Sequence, residues 1–172
     1  MSAHDSGLKD ARDQLSLVLS FFPRVDAKLS TVLGINTGML AALGLSFPPL
    51  QKMTPLLWIA PVLALALLIA SYIQLYQGGF PTVKGGDSSL IYFREIAKRT
   101  EAGFVEEYLG CIPEAMSRDV LGQVWRNAEI LSAKYDSLKL AFRFTAIGTV
   151  FWIISLALFS LSRANVQVTV GH

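Results

Sequence analysis

Charge is what this chain has least of. Only 16% of its 172 residues are Asp, Glu, Lys or Arg, against about 25% in a soluble domain. The shortage is local. No charge occurs over residues 29–51, 53–83 or 144–162, gaps of 23, 31 and 19 residues. The rest of the chain is about 28% charged, an ordinary water-soluble composition. A simple soluble globule is therefore excluded.

Other shortages remove whole classes of function. A single cysteine, Cys111, cannot form an internal disulfide. The two histidines, His4 and His172, stand at opposite ends, and no Cys/His group has metal-ligand spacing. Neither a metal nor a cofactor is expected. No nucleophile, base and orienting group occur together, which argues against a hydrolytic enzyme. Glycine-rich phosphate loops are missing, since Gly78-Gly79 and Gly85-Gly86 are lone pairs in a linker. A net charge of +2 is too small to point to nucleic acid. Residues 1–14 are polar with mixed charge, unlike a signal peptide.

Long apolar runs are what the chain has instead, and its mean hydropathy is +0.46. A helix needs about 20 apolar residues to cross the hydrocarbon of a bilayer. Three stretches qualify: Leu29–Phe47, Leu56–Tyr76 and Phe144–Ser162. The first is rich in small residues, and Gly34 and Gly38 form a GxxxG pair, a spacing that lets helices approach closely. Asn36 is its one strongly polar residue, and an amide in lipid needs a partner. It either packs within the hairpin or, with Thr37, lines an opening. In the second, Pro61 lies one turn in, and Trp58, Tyr72 and Tyr76 sit near the ends as interface anchors. The third carries Trp152 near its middle, an unusual place for an anchor. A short turn with Pro48-Pro49 and Pro55 makes the first two spans an antiparallel hairpin.

Positive charge orients such a chain. Four Lys/Arg precede the first span and nine lie in 77–143, whereas the hairpin turn holds only Lys52 and the tail only Arg163. The expected topology has residues 1–28 and 77–143 in the cytoplasm. Residues 29–76 form the hairpin, 144–162 the last span, and 163–172 a short outer tail.

Residues 8–28 read as an amphipathic helix, with Leu8, Ala11, Leu15, Val18, Leu19 and Phe22 at helical spacing and a kink or break at Pro23. A helix packed on the bundle is preferred to one lying on the membrane surface. Residues 78–86 read as a linker. Leu90–Phe93 is ambiguous between strand and helix, with helix preferred. Thr100-Glu101 can cap a short helix to about Leu109, and Pro113 can open a long one. There Leu121, Val124, Ala128, Leu131, Tyr135, Leu138 and Phe142 follow the 3-4 spacing of a coiled-coil seam. The pattern runs unbroken into the third span, about 70 Å of helix at 1.5 Å per residue. The fold class is thus all-α: three transmembrane helices, a small helical cytoplasmic region, and a long helix continuous into the last span.

Arg94, Lys98 and Arg99 cluster beside Tyr92 and Phe93, and Arg118 and Arg126 lie two turns apart on the long helix. Arginines with aromatics suit a phosphate and a base. Charges on exposed helix faces are more often simply solvated, and Glu95–Arg99 reads as a routine helix pair.

Three stretches together resemble a known family. Val25-Asp26-Ala27-Lys28 with Leu33-Gly34-Ile35-Asn36 is similar to the entry to the first span in the transmembrane effectors of bacterial Pycsar antiphage defence. Asp119, Gln123, Ala128, Ile130, Lys134 and Tyr135 resemble the helix those proteins carry before their last span. Ile91-Tyr92-Phe93 with Ile96-Ala97 resembles its preceding apolar motif. The matches cover about residues 20–162. The resemblance implies a partner uridylate or cytidylate cyclase that makes cyclic UMP or cyclic CMP on infection. It also implies a non-enzymatic effector that responds by impairing the inner membrane, an abortive-infection response. It supplies no nucleotide-binding motif. Three spans cannot enclose a pore, so a homo-oligomer is expected on this reading. Two other readings stand beside it: an accessory subunit anchoring a partner through the 116–142 seam, and an effector of a cyclic-oligonucleotide system.

Overall fold

A computed structural model describes residues 3–49, 54–80 and 86–170, and side chains over 6–49, 54–80 and 86–163. It is 86% helical with no strand among the described residues. Among the described residues six helices occur: α1 (Ala3–Leu19), α2 (Phe22–Leu45), α3 (Pro55–Gly79), α4 (Phe93–Ile96), α5 (Glu101–Gly110) and α6 (Pro113–Val170). Three helical stretches are long and apolar enough to cross a membrane: Ser6–Leu45, Pro55–Gly79 and Pro113–Arg163. The hairpin-turn residues 50–53 and the linker residues 81–85 lie outside the described residues.

The chain divides into two compact units. Unit 1 holds residues 1–25 and 81–134, and unit 2 holds residues 26–80 and 135–172. The break after α1 falls at Ser20-Phe21, and Pro23 sits in the first turn of α2. Proline is tolerated there because a first-turn N–H has no helical acceptor.

Unit 2 is a bundle of α2, α3 and the later part of α6, and its polarity is that of a body in lipid. Leu33, Ile35, Ile59, Val62, Ile69, Ile73, Ile147 and Ile153 face outward. Inside, Asn36, Ser71, Thr145 and Ser155 are buried with Ala60, Ala64, Leu68 and Ala141. Where lipid is as apolar as leucine, helices associate through small side chains and interhelical hydrogen bonds. A Cβ on Gly148 would lie 3.3 Å from the Leu67 Cβ, and one on Gly78 would lie 3.0 Å from the Ser137 Cβ. Gly78 is therefore no part of a linker: it is a buried α3 residue where the bare backbone lets α6 come close.

A hydrogen-bonded triad ties the three helices together. Asn36 donates from Nδ2 to the Ser71 hydroxyl at 2.8 Å and accepts from the Thr145 hydroxyl at 2.9 Å. The Ser71 hydroxyl also reaches the Ala141 carbonyl at 3.0 Å. Trp152 donates from Nε1 to the Met39 carbonyl at 2.8 Å, which accounts for an indole in mid-span. At the far end Arg163 donates to the carbonyls of Leu45 and Phe47 at 3.3 and 3.4 Å, supplying cation and donors to the end of α2. Phe47 packs there on Trp58 and Phe159, both at 5.4 Å between ring centroids.

The 3-4 stripe on α6 lies only partly inside: Val124, Leu131, Tyr135 and Leu138 are half-buried, and Leu121, Ala128 and Phe142 are exposed. Leu121 is 51% and Phe142 62% exposed, while Val120 and Gln123 are buried in unit 1 and Ala141 and Thr145 in unit 2. One helix carries both a bulky apolar stripe and a stripe of small and polar residues. Tight packing within the protomer takes the second and leaves the first half-buried or exposed.

Candidate functional site

Unit 1 is α1, the segment 86–92, α4, α5 and the first part of α6. Segment 86–92 has no regular structure of its own, so side chains satisfy its backbone. Asp119 accepts from the Leu90 N–H at 2.7 Å. The buried Ser89 hydroxyl accepts from the N–H groups of Ile91 and Tyr92 at 3.1 and 3.0 Å and from Gln123 Nε2 at 3.2 Å. Arg99 holds the other edge. It donates to the carbonyls of Ser88, Ser89 and Glu95, and its Nε meets Glu107 at 2.8 Å. Ser88 has a φ of 61°, a left-handed conformation that these bonds over-determine. The Glu95 carboxylate pairs with Lys98 and accepts from the Ser88 N–H. The hydrogen bond from Lys98 holds its pKa below the usual value of 4.5, helped by Ser88 and Arg99.

This scaffold builds one wall of a cavity of about 300 Å3. Leu15 and Leu19 of α1, Ile91 and Phe93, and Ile130 of α6 supply its apolar surface. Tyr92, Gln123, Arg126 and Asn127 supply the polar part. Asn127 donates to the Gln123 carbonyl at 2.8 Å, which leaves its amide oxygen as a spare acceptor. Arg126 is the cation of the cavity. It is half-buried, and among the described residues no carboxylate or carbonyl partners its guanidinium. The guanidinium lies against Gly86, where a Cβ would come within 2.5 Å of Nη1. A half-buried guanidinium without a counter-ion, among apolar walls and amides, suits a phosphate carried on an organic ring.

Of the cations considered from sequence, the structure brings only Arg126 to this cavity, together with Tyr92. Arg99 is spent on backbone carbonyls and Glu107, and Lys98 on Glu95. Arg94 and Arg118 are exposed. Asp119 and Gln123 anchor the segment. Asp26 and Lys28 open unit 2, where Tyr135 is half-buried, and Lys134 ends unit 1. Asn36 and Thr37 are engaged inside the protomer, Thr37 with the Leu33 carbonyl and the Tyr72 hydroxyl. Gly34 and Gly38 face outward, and a Cβ added at either would meet nothing within 4 Å. Asn127 escaped sequence reasoning, where Gly86 and the leucines of α1 read as linker and amphipathic helix and not as parts of a site. The polar pair Arg126-Asn127 beside Gln123, one turn away, was the available signal.

The family model for the Pycsar effector protein domain matches residues 10–160. This chain belongs to the Pycsar effector family. The match spans both units, and it supports a role in Pycsar antiphage defence with no catalytic family indicated. Three membrane-crossing helices in a Pycsar effector fit an inner-membrane protein. No curated protein and no solved structure matches the chain.

Proposed function

We propose that this Pycsar effector is switched on by a cyclic pyrimidine mononucleotide, cyclic UMP or cyclic CMP, made by a partner cyclase. In this reading the nucleotide binds the cavity at Arg126, and the effector then impairs the inner membrane and aborts infection. The unpartnered Arg126 guanidinium carries the reading. It faces the cyclic phosphodiester, Tyr92 and Phe93 offer aromatic surface to the pyrimidine, and the Asn127 amide offers an edge to read. Binding shifts the protein only by its differential affinity for two packings. Arg126 and Asn127 stand on α6, the same uninterrupted helix that carries Thr145 and Trp152. The cytoplasmic placement of residues 1–28 and 77–143 rests on 13 of the 15 Lys/Arg. The filled core around Asn36 leaves no pore through one protomer, so the lesion is the work of several copies or of disturbed lipid. The outward Gly34–Gly38 face is the surface on which copies would pack.

The test is calorimetric titration of the purified chain with a panel of cyclic mononucleotides and cyclic oligonucleotides. Cyclic UMP or cyclic CMP binds, and Arg126→Gln weakens it by about 10- to 100-fold, the worth of a charged hydrogen bond. Arg118→Gln, on an exposed face, leaves affinity unchanged. Equal affinity in the Arg126 variant removes the nucleotide from this cavity. Binding only of cyclic oligonucleotides assigns the effector to another signal.

A further inference from the structure

Unit 2 carries a second concavity, a groove of about 510 Å3 between α2 and α6. Its walls are Val32 and Ile35 on α2 and Leu138 and Phe142 on α6. Its cations are Lys28 and Lys139 at the rim and Arg143 farther in, level with Ile35 by the Asn36–Thr145 register, its long side chain able to reach back to the rim. Lys28 is the last charge before the charge-free run 29–51, and Arg143 the last before 144–162. Lys28 and Lys139 therefore stand near where the membrane-crossing stretches of α2 and α6 begin, and Arg143 opens the last one within side-chain reach of them. Among the described residues, none of the three cations has an ion-pair or hydrogen-bond partner. Unit 2 has only two acidic residues, Asp26 and Asp136, against these cations.

Below the rim the groove turns apolar. Ile35 lies two helical turns beyond Lys28, about 10 Å along the axis. Thr31 also lines it, but its hydroxyl already donates to the Ala27 carbonyl at 2.9 Å. Tyr135 adds an aromatic ring with a polar tip at the rim, the usual chemistry of a membrane interface. A soluble phosphate would use the cations and waste the groove. A nucleotide base would find no free amide in it. A lipid uses both parts: basic pockets between membrane helices hold anionic headgroups, and the first part of an acyl chain fits an apolar furrow about 10 Å long.

We propose that this groove holds an anionic glycerophospholipid, its phosphodiester on Lys28, Lys139 and the reach of Arg143, and the first part of one acyl chain along Val32, Ile35 and Phe142. The site gives Lys28 a ligand and makes the effector sensitive to the anionic lipid content of its membrane. It does not depend on the nucleotide reading, because the groove and its cations need no nucleotide.

The experiment is native mass spectrometry of the full chain in detergent, titrated with phosphatidylglycerol or phosphatidylcholine of matched acyl chains. Wild type retains phosphatidylglycerol in preference to phosphatidylcholine. The triple variant Lys28→Gln, Lys139→Gln, Arg143→Gln loses that affinity by about 100-fold, from roughly fivefold per charge near a membrane surface. A control triple, Lys9→Gln, Arg12→Gln, Arg118→Gln, changes net charge equally and keeps wild-type retention. Should the groove triple fail to fold, Lys139→Gln alone, at an exposed position, gives the same reading at about fivefold. Equal retention of the two lipids overturns the proposal, as does equal loss in the control triple. Displacement of the lipid by millimolar inorganic phosphate overturns the acyl-chain assignment and leaves a simple anion site.

Discussion

Asn36 shows how much a single residue can carry inside a membrane bundle. Its amide has no water to turn to, so Ser71 and Thr145 complete it from two other helices. Asn36→Ala is expected to cost about 1 kcal/mol, near the range measured for interhelical hydrogen bonds in membranes, read as a lowered unfolding midpoint in detergent. Gly86 is the opposite case, important for what it omits. Gly86→Ala would place a Cβ against the Arg126 guanidinium, a flexible tip that can move away. Helicity and melting should stay at wild type while nucleotide affinity falls, a split that titration and circular dichroism together would show. Glu95 links the segment 86–99 to pH. Its carboxyl titrates below 4.5 in the folded chain because Lys98 and Ser88 favour the ionised form. A lowered folded pKa means the contribution is present above the unfolded value and is lost as pH falls through the folded one. Protection of the Ser88 amide, relative to its intrinsic exchange rate, should therefore fall only below about pH 4.5, and Glu95→Gln should remove that dependence.

Among the helices, α6 teaches most about reading a sequence. Its apolar 3-4 spacing was legible, and so were its length and its continuity into the last span. The inward face was not. Phe142 looks like core by period and hydrophobicity, yet the bundle packs on Ala141, Thr145 and Gly148. Apolar residues in lipid feel no pull inward, so the amphipathic rule that serves in water loses its sign. Glycines separate the two faces experimentally. Gly148→Leu would push against Leu67 and Ala64 and should destabilise the bundle by about 1–3 kcal/mol, the usual cost of overpacking. Gly34→Leu with Gly38→Leu meets no neighbour in the protomer. That pair should leave the protomer folded and abolish toxicity if copies pack through it, which expression level and cell survival with the cyclase would report.

For the molecule as a whole, the proposed orientation and the proposed lesion each have a direct readout. The lone Cys111 is half-buried in unit 1 and would be cytoplasmic. An impermeant maleimide should leave it unlabelled in intact spheroplasts and label it in inverted vesicles; the reverse pattern would invert the topology. Cells that make both effector and cyclase should take up a membrane-impermeant dye on infection, and cells with Arg126→Gln should not.

Three charge-free runs, the turn residues between them and the uneven lysines and arginines were enough to predict an all-α membrane chain with three spans. Composition decides that much, because the cost of charge in hydrocarbon is paid residue by residue and needs no fold. Which polar groups meet is another matter. Arg99 and Arg126 look alike in the sequence, yet one is used up on carbonyls of residues 88–95 and the other, beside Gly86, has no counter-ion among the described residues. Lys28 and Arg143 are 115 positions apart and line one groove only through the packing of α2 on α6. Contacts between distant segments depend on which helix faces turn inward, and in this bundle small and polar side chains made that choice.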